Sequence, residues 1–344
     1  MKVLVTGATG FIGSHVVQQL KRSGHELVLC HREGKSNWTL FDSVARIYSS
    51  AASGTSDSIH DQGMLRLKSH LSEFAERLTP YEFTDSDLFL NGSFEKVSVD
   101  LIDYDEVLEA VNSAPYDAVV HCAAIISFHP KDREKMLRDN VEGARNLVNA
   151  CLKAGVKRFL HVSSIAALGR PTEDGPITLN TPWEESPYNT DYALSKYYAE
   201  LEVWRGKEEG LEVSVFYPGV VLGQCDGHTS SKQVIDVVKN GNPFYPVGSN
   251  GFVFVEDLAK KITNELQSPS SENRFLCVSH NLTFENLISS VALAYGYKPA
   301  KWPLKGLVYQ MVFAFAKFCE LFSIKIPITT ELMRSTSKNS VYED

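Results

Sequence analysis

Tyr192 and Lys196 stand four residues apart in "DYALSKYYAE", so on a helix they project from one face, one turn apart. A phenol has an ordinary pKa of about 10, too high for ready proton exchange at neutral pH, and a nearby ammonium lowers it by favouring the phenolate. The pair makes a general acid/base. The same spacing recurs from Tyr297 to Lys301 in "YKPAK", but Pro299 disrupts an interior helical turn, which leaves Tyr192 as the candidate. Taken alone, the pair also fits an amphipathic surface helix with a solvated lysine. A third feature, "FLHVSSIAALG", is an apolar run ending in Ser163 and Ser164. Hydroxyls at the carboxyl end of a parallel strand lie where such sheets bind ligands, and one could hydrogen-bond a substrate oxygen.

A redox partner for such a site is legible near the first residue, in "VLVTGATGFIG" from Val3 to Gly13. An apolar strand precedes the glycines and a helical pattern, "SHVVQQLKRSG", follows them, which is the context a dinucleotide-binding turn requires. Gly7 permits the tight turn, Gly10 lets the backbone approach a pyrophosphate, and Gly13 lets the helix pack close to the sheet. Thr9, Phe11 and Ile12 belong to the same cradle, where free N–H groups and the positive helix end face the phosphates. The second strand ends in "LCHRE", placing His31 and Arg32 where an acid would hold the adenosine ribose. A guanidinium grips a ribose phosphate bidentately, so NADP(H) is favoured over NAD(H), with Lys35 as an assistant. After the third strand, Asp100 and Leu101 are placed to bracket the adenine; after the fourth, Ala123 and Ala124 let the chain run close under the cofactor.

The elements that must position these residues alternate. Apolar strand-like runs at Lys2 to Thr6, Leu27 to His31, Lys96 to Val99, Ala118 to Cys122, Arg158 to Ser163 and Val213 to Tyr217 are separated by helical patterns. Strands apolar on both faces, interleaved with helices, predict an α/β fold, a Rossmann-type doubly wound parallel sheet with a smaller C-terminal substrate-binding lobe. The expected division is a nucleotide-binding domain over 1–168, with 190–222 and 252–266 returning to it, and a lobe built from 169–189, 223–251 and 267–344. Residues 33–94 hold an insertion too long for a single crossover, read as a surface excursion or as a lid near the adenosine end. "LVYQMVFAFAKFCELF", Leu307 to Phe322, reads as an amphipathic or buried helix facing a core in preference to a monotopic membrane anchor, and it is too interrupted by polar residues to span.

Composition narrows the partners. The 344 residues are 43% hydrophobic and 22% charged, with a net charge of −8, an ordinary globular mixture that argues against a nucleic-acid surface. Six cysteines lie scattered without a C-x-x-C pair, so neither a disulfide framework nor a zinc site is expected. With Met1 and Lys2 running straight into the first strand, no leader is read and the expected compartment is the cytoplasm.

Through "TGATGFIG", "VDL", "HCAA", "DNVEGARNLVNAC", "HVSS", "YALSK", "YPGVVLG" and "FVFVEDLAKKI", most of the chain resembles the extended short-chain dehydrogenase/reductases, in particular their dihydroflavonol reductase-like and hydroxysteroid dehydrogenase-like branch. That resemblance implies an NADP(H)-dependent oxidoreductase interconverting a small-molecule ketone or aldehyde and its alcohol. Ser164 would orient the carbonyl, Tyr192 would carry the proton, Lys196 would hold the nicotinamide ribose, Asn140 would support the site and Pro218 would line the nicotinamide pocket. Phe128, His129, Trp183, Tyr188, Phe244 and Tyr245 stand where an aromatic-lined cleft would form, His129 being read as a loop residue and not an auxiliary acid. Ile165 and Ala166 replace the acidic pair of the family's dehydratases. A nucleotide-sugar epimerase with tightly bound NAD(P) and a non-catalytic NADP-binding regulatory protein are the alternatives, and a homodimer is a possible assembly.

Overall fold

In the computed structural model, residues 1–34, 94–223, 230–324 and 326–344 are described, together with 41, 44, 74, 77 and 78. Lys35 and most of the 33–94 insertion lie outside the described residues. The predicted strands form as β1 (Lys2–Thr6), β2 (Glu26–His31), β3 (Glu95–Ser98), β4 (Ala118–His121), β5 (Arg158–Val162) and β6 (Glu212–Pro218). Further along lie β7 (Val220–Leu222), β8 (Ser249–Phe254), β9 (Arg274–Cys277) and β10 (His280–Thr283). The principal sheet has seven strands in the order β9-β6-β5-β4-β1-β2-β3, and every pairing in it is parallel. Because β1 lies between β2 and β4, the chain reverses its direction of winding there, and the carboxyl ends of β1 and β4 open the crevice in which such sheets bind ligands.

Helices cover both faces, and their ends follow from local chemistry. The first, α1 (Phe11–Arg22), starts directly from the glycine turn; α2 (Tyr104–Asn112) is capped by Asp103, whose carboxylate accepts from the N–H groups of Asp105 and Glu106. The long α3 (Arg133–Ala154) stops at Gly155, which takes the left-handed conformation at φ 75°. Thr190 caps α4 (Asp191–Glu208) by accepting from the N–H of Ala193. Next come α5 (Ser230–Lys239), α6 (Val255–Gln267), α7 (Phe284–Ala294), α8 (Gly306–Leu321) and α9 (Thr330–Ser337).

The division differs from the sequence expectation in two places: Val220–Leu222 and Phe252–Phe254, expected in the nucleotide-binding domain, belong to the lobe's sheet and core, and the edge strand of the principal sheet comes from residues expected in the lobe. Arg274–Cys277, read as part of the lobe, is the edge strand β9 of the principal sheet. It follows the crossover helix α6 and covers the exposed side of β6, with Phe275 stacked on Phe216 at 5.0 Å. The lobe has its own sheet, β10-β8-β7, and its own core of Leu222, Phe252, Phe254, Leu282, Leu287 and Val291. Phe74, from the insertion, is buried in that core, and Arg77 lies 3.8 Å over the Phe254 ring while pairing with Asp257 at 2.7 Å. These described insertion residues therefore seat on the lobe.

Expected to face a core, α8 does the opposite with its largest side chains. Ala316 and Cys319 are its buried positions, whereas Leu307, Met311, Phe315, Phe318 and Leu321 are each more than half exposed.

Candidate active site

The glycine turn at the end of β1 fits a dinucleotide on its own geometry. Gly7 has φ 67°, and a Cβ there would stand 2.6 Å from the backbone nitrogen of Ala123, so glycine is demanded both by the turn and by the chain leaving β4. A Cβ on Gly13 would fall 2.0 Å from the Gly7 carbonyl oxygen, which fixes how closely α1 can approach the sheet. Gly10 differs: a Cβ there would meet only the Gly7 carbonyl oxygen, at 3.2 Å, leaving the outer side of the turn open for an approaching pyrophosphate. Thr9, Gly10, Phe11 and Ile12 are accessible, while Ala8 and Gly13 are buried. As N-cap of α1, Gly10 offers no side-chain acceptor, and the first-turn N–H groups face the crevice as an anion cradle.

At the adenosine side the structure brings two expected residues against each other. Arg32 donates to Asp100 at 2.6 Å and lies 3.7 Å from the buried carboxylate of Asp139. Lys135 and Arg138 also engage Asp139, and these cations hold its carboxyl below the ordinary range against the burial that raises it. Arg32 is thus a charged group at the end of β2 already paired with a carboxylate from the end of β3, and Asp100 is an ion-pair partner as well as a strand-end residue. Leu101 packs toward α3, where a Cβ on Gly143 would meet it at 3.3 Å, and its carbonyl accepts from Asn146 at 2.9 Å. Ala124 is exposed and Ala123 half-buried beside the glycine turn. Pro218 is buried at the end of β6, in register with Cys277 of β9.

Between these sits the candidate acid/base group. Ser164 follows β5, its Oγ accepting from the N–H of Ala166 at 3.1 Å, and Tyr192 stands in the first turn of α4, near enough for Ser164 to act on its pKa. Ser163 points elsewhere, donating to the buried carboxylate of Glu200 at 2.8 Å. Burial pushes the Tyr192 phenol up to about 12, while neighbouring Ser164 pulls it down. This differs from the expectation that the lysine lowers it. Lys196 is 2% exposed, and its ammonium donates to the Val162 carbonyl at 2.8 Å. Burial lowers Lys196 to about 8, opposed by the charge of Glu200 and by Cys122. Beneath it, the rings of His121 and His161 lie 5.2 Å apart, both held neutral by burial and the lysine's charge.

Asn140 acts as a clamp. Its side-chain oxygen accepts from the N–H of Ile125 at 2.7 Å, and its nitrogen donates to the Ile125 carbonyl and to Ser195 Oγ, both at 2.9 Å. Ser195 in turn donates to the Tyr192 carbonyl at 2.8 Å, so one asparagine ties the loop after β4 to the turn that carries the phenol. Sequence reasoning did not single out Ser195 or Glu200. Glu200 accepts from Ser163, Trp204 and Tyr217, forming a buried polar network one turn beyond Lys196. The signal was present: Tyr192, Lys196, Glu200 and Trp204 repeat every four residues.

Of the expected aromatic lining, Phe128 stands edge-on to Tyr192, with ring centroids 6.2 Å apart. Trp183 stacks on Tyr197 at 4.2 Å, Tyr188 lies under Lys338, and Phe244 and Tyr245 pair with Trp302 and Pro303. His129 accepts from the N–H of Lys131, capping the short turn Pro130–Asp132, as a loop histidine does.

Comparison with known proteins follows the same lines. The model of the NAD dependent epimerase/dehydratase family matches residues 3–275. The chain is 29% identical over 201 residues to cinnamoyl-CoA reductase 1 of Petunia hybrida, covering 55% of this chain and only 59% of that protein's length. It is 23% identical to dihydroflavonol 4-reductase of Gerbera hybrida over 317 residues, which is 88% of this chain and 75% of that one. The crystal structure of gox2253 superposes with a TM-score of 0.70 at 26% identity, covering 99% of this chain and 89% of that one.

Proposed function

The chain belongs to the NAD dependent epimerase/dehydratase family, and from that premise we propose that it is an NADP(H)-dependent oxidoreductase interconverting a ketone or aldehyde and its alcohol. The single observation that carries the reading is the placement of Tyr192 and buried Lys196 one turn apart on α4, with Ser164 at the end of β5 near enough to lower the phenol's pKa. When bound, the dinucleotide supplies or accepts the hydride. Ser164 orients the substrate oxygen. Tyr192, raised to about 12, is a phenol at neutral pH and so holds the proton that a carbonyl oxygen receives as it becomes an alcohol. Lys196 brings positive charge to the nicotinamide end below its pKa of about 8, and Asn140 fixes the turn in which Tyr192 sits.

NADP(H) is proposed over NAD(H) because a guanidinium, and not a carboxylate, ends β2. A ribose phosphate would compete with Asp100 for it. Phe128 beside Tyr192 supports an apolar or aromatic substrate. Unpaired Cys30, Cys122, Cys151, Cys277 and Cys319 support a reducing compartment, the cytoplasm. The test is NADPH consumption against a panel of aromatic and aliphatic carbonyls. Tyr192→Phe should lower turnover by about 10²–10⁴-fold while sparing NADPH binding; a variant of full activity refutes the mechanism.

A further inference from the structure

An exposed apolar face this large on a globular chain marks an interaction surface. On α8, Leu307, Met311, Phe315, Phe318 and Leu321 recur every three or four residues and therefore line one side of the helix, with Leu321 reaching 78% exposure. Trp302, just before the helix, is 61% exposed, and Phe322 and Ile324 extend the face beyond its end. The opposite side is firmly seated. Ala316 and Cys319 are buried, Arg334 of α9 lies 5.3 Å over the Phe313 ring, and Glu320 accepts from the N–H and hydroxyl of Thr330 at 2.7 and 2.9 Å. Lys131 donates to the Ser323 carbonyl, so the helix is also tied to the loop that carries Phe128.

The charge around this face chooses its occupant. Lys298, Lys301, Lys305 and Lys317 are all exposed, and Glu320 is the single acid between 298 and 320, in a chain whose net charge is −8. A basic rim around an apolar row complements a surface that is anionic outside and apolar beneath. A second copy of this acidic chain would bring its own lysines to the same place. Among the described residues no helix is long and apolar enough to cross a membrane, so α8 is suited to lie in an interface and not to span it.

We propose that α8 docks the protein onto an anionic lipid bilayer, with Leu307, Met311, Phe315, Phe318 and Leu321 entering the headgroup region and the lysines meeting lipid phosphates. Docking does not depend on the redox reading and is measured without turnover. Because Glu331 of α9 accepts from the N–H of Asp191, the residue before Tyr192, the docked helix pair brings the start of α4 close to the lipid surface. The experiment is flotation of the full chain with vesicles of phosphatidylcholine, with and without phosphatidylserine, over a salt series. Binding should require phosphatidylserine, weaken as salt rises, and fall about tenfold or more in Phe315→Asp/Phe318→Asp. Thermal unfolding of that variant should match the wild type, because both side chains are exposed. Lys301→Glu/Lys305→Glu should lose binding to the anionic vesicles without altering the apolar row. Absence of vesicle binding at low salt overturns the proposal, as does binding that the Phe variant retains; a dimer in light scattering that this variant dissociates, without vesicle binding, assigns the face to a second copy.

Discussion

Replacing Lys196 by Met should stabilise the protein while abolishing turnover. The lysine is 2% exposed, and burial is the largest influence carrying its pKa from 10.5 to about 8. At about 1.4 kcal/mol per pH unit, the fold disfavours the ammonium by roughly 3 kcal/mol. Met fills the volume of the stem with apolar atoms, but the Val162 carbonyl loses its donor, a cost of about 1–2 kcal/mol. The net gain is about 1–2 kcal/mol, or roughly 1–3 °C in Tm for a chain of 344 residues. The unfolded chain keeps the lysine proton up to about 10.5 and the folded chain only to about 8, so between these values the unfolded state binds more protons and wild-type stability rises with pH. The Met variant's advantage is therefore full below about pH 8 and shrinks toward pH 10.5. Thermal unfolding of both proteins across this range, without dinucleotide, measures the difference; adding dinucleotide would contribute linkage of its own. A variant that melts below the wild type at neutral pH, or whose advantage widens as pH rises, refutes the electrostatic reasoning.

The two serines after β5 should separate cleanly. Ser164→Ala removes the partner of Tyr192 and should lower turnover by about 10²-fold, whereas Ser163→Ala loosens Glu200 and should cost about 1 kcal/mol of stability with turnover nearly intact; equal kinetic losses would reverse the assignment. At the adenosine end, Arg32→Asp should weaken NADPH relative to NADH by about tenfold or more, and Asp100→Asn, by releasing the guanidinium, should tighten NADPH. Calorimetric titration of both variants checks this, and unchanged NADPH affinity in each would remove Arg32 from the phosphate site.

The sequence by itself determined what depends on neighbours along the chain. The six predicted strands, the glycine turn opening α1, and the one-turn spacing of Tyr192 and Lys196 are set by short apolar runs, by a helical period of about four residues or by backbone freedom at single positions. Tertiary structure decided what depends on residues far apart in the chain. Ser163 is taken by Glu200, leaving Ser164 as the serine that acts on the Tyr192 phenol, because α4 packs beside β5. Arg32 meets Asp100, 68 residues later, only because β2 and β3 are adjacent. The phenol's pKa rises because burial outweighs the influence of Ser164, and the outward face of α8 follows from which side its neighbours cover. A helical pattern shows that one side is apolar, but whether that side meets a core or the surroundings is settled by the elements packed against it, which no local spacing encodes.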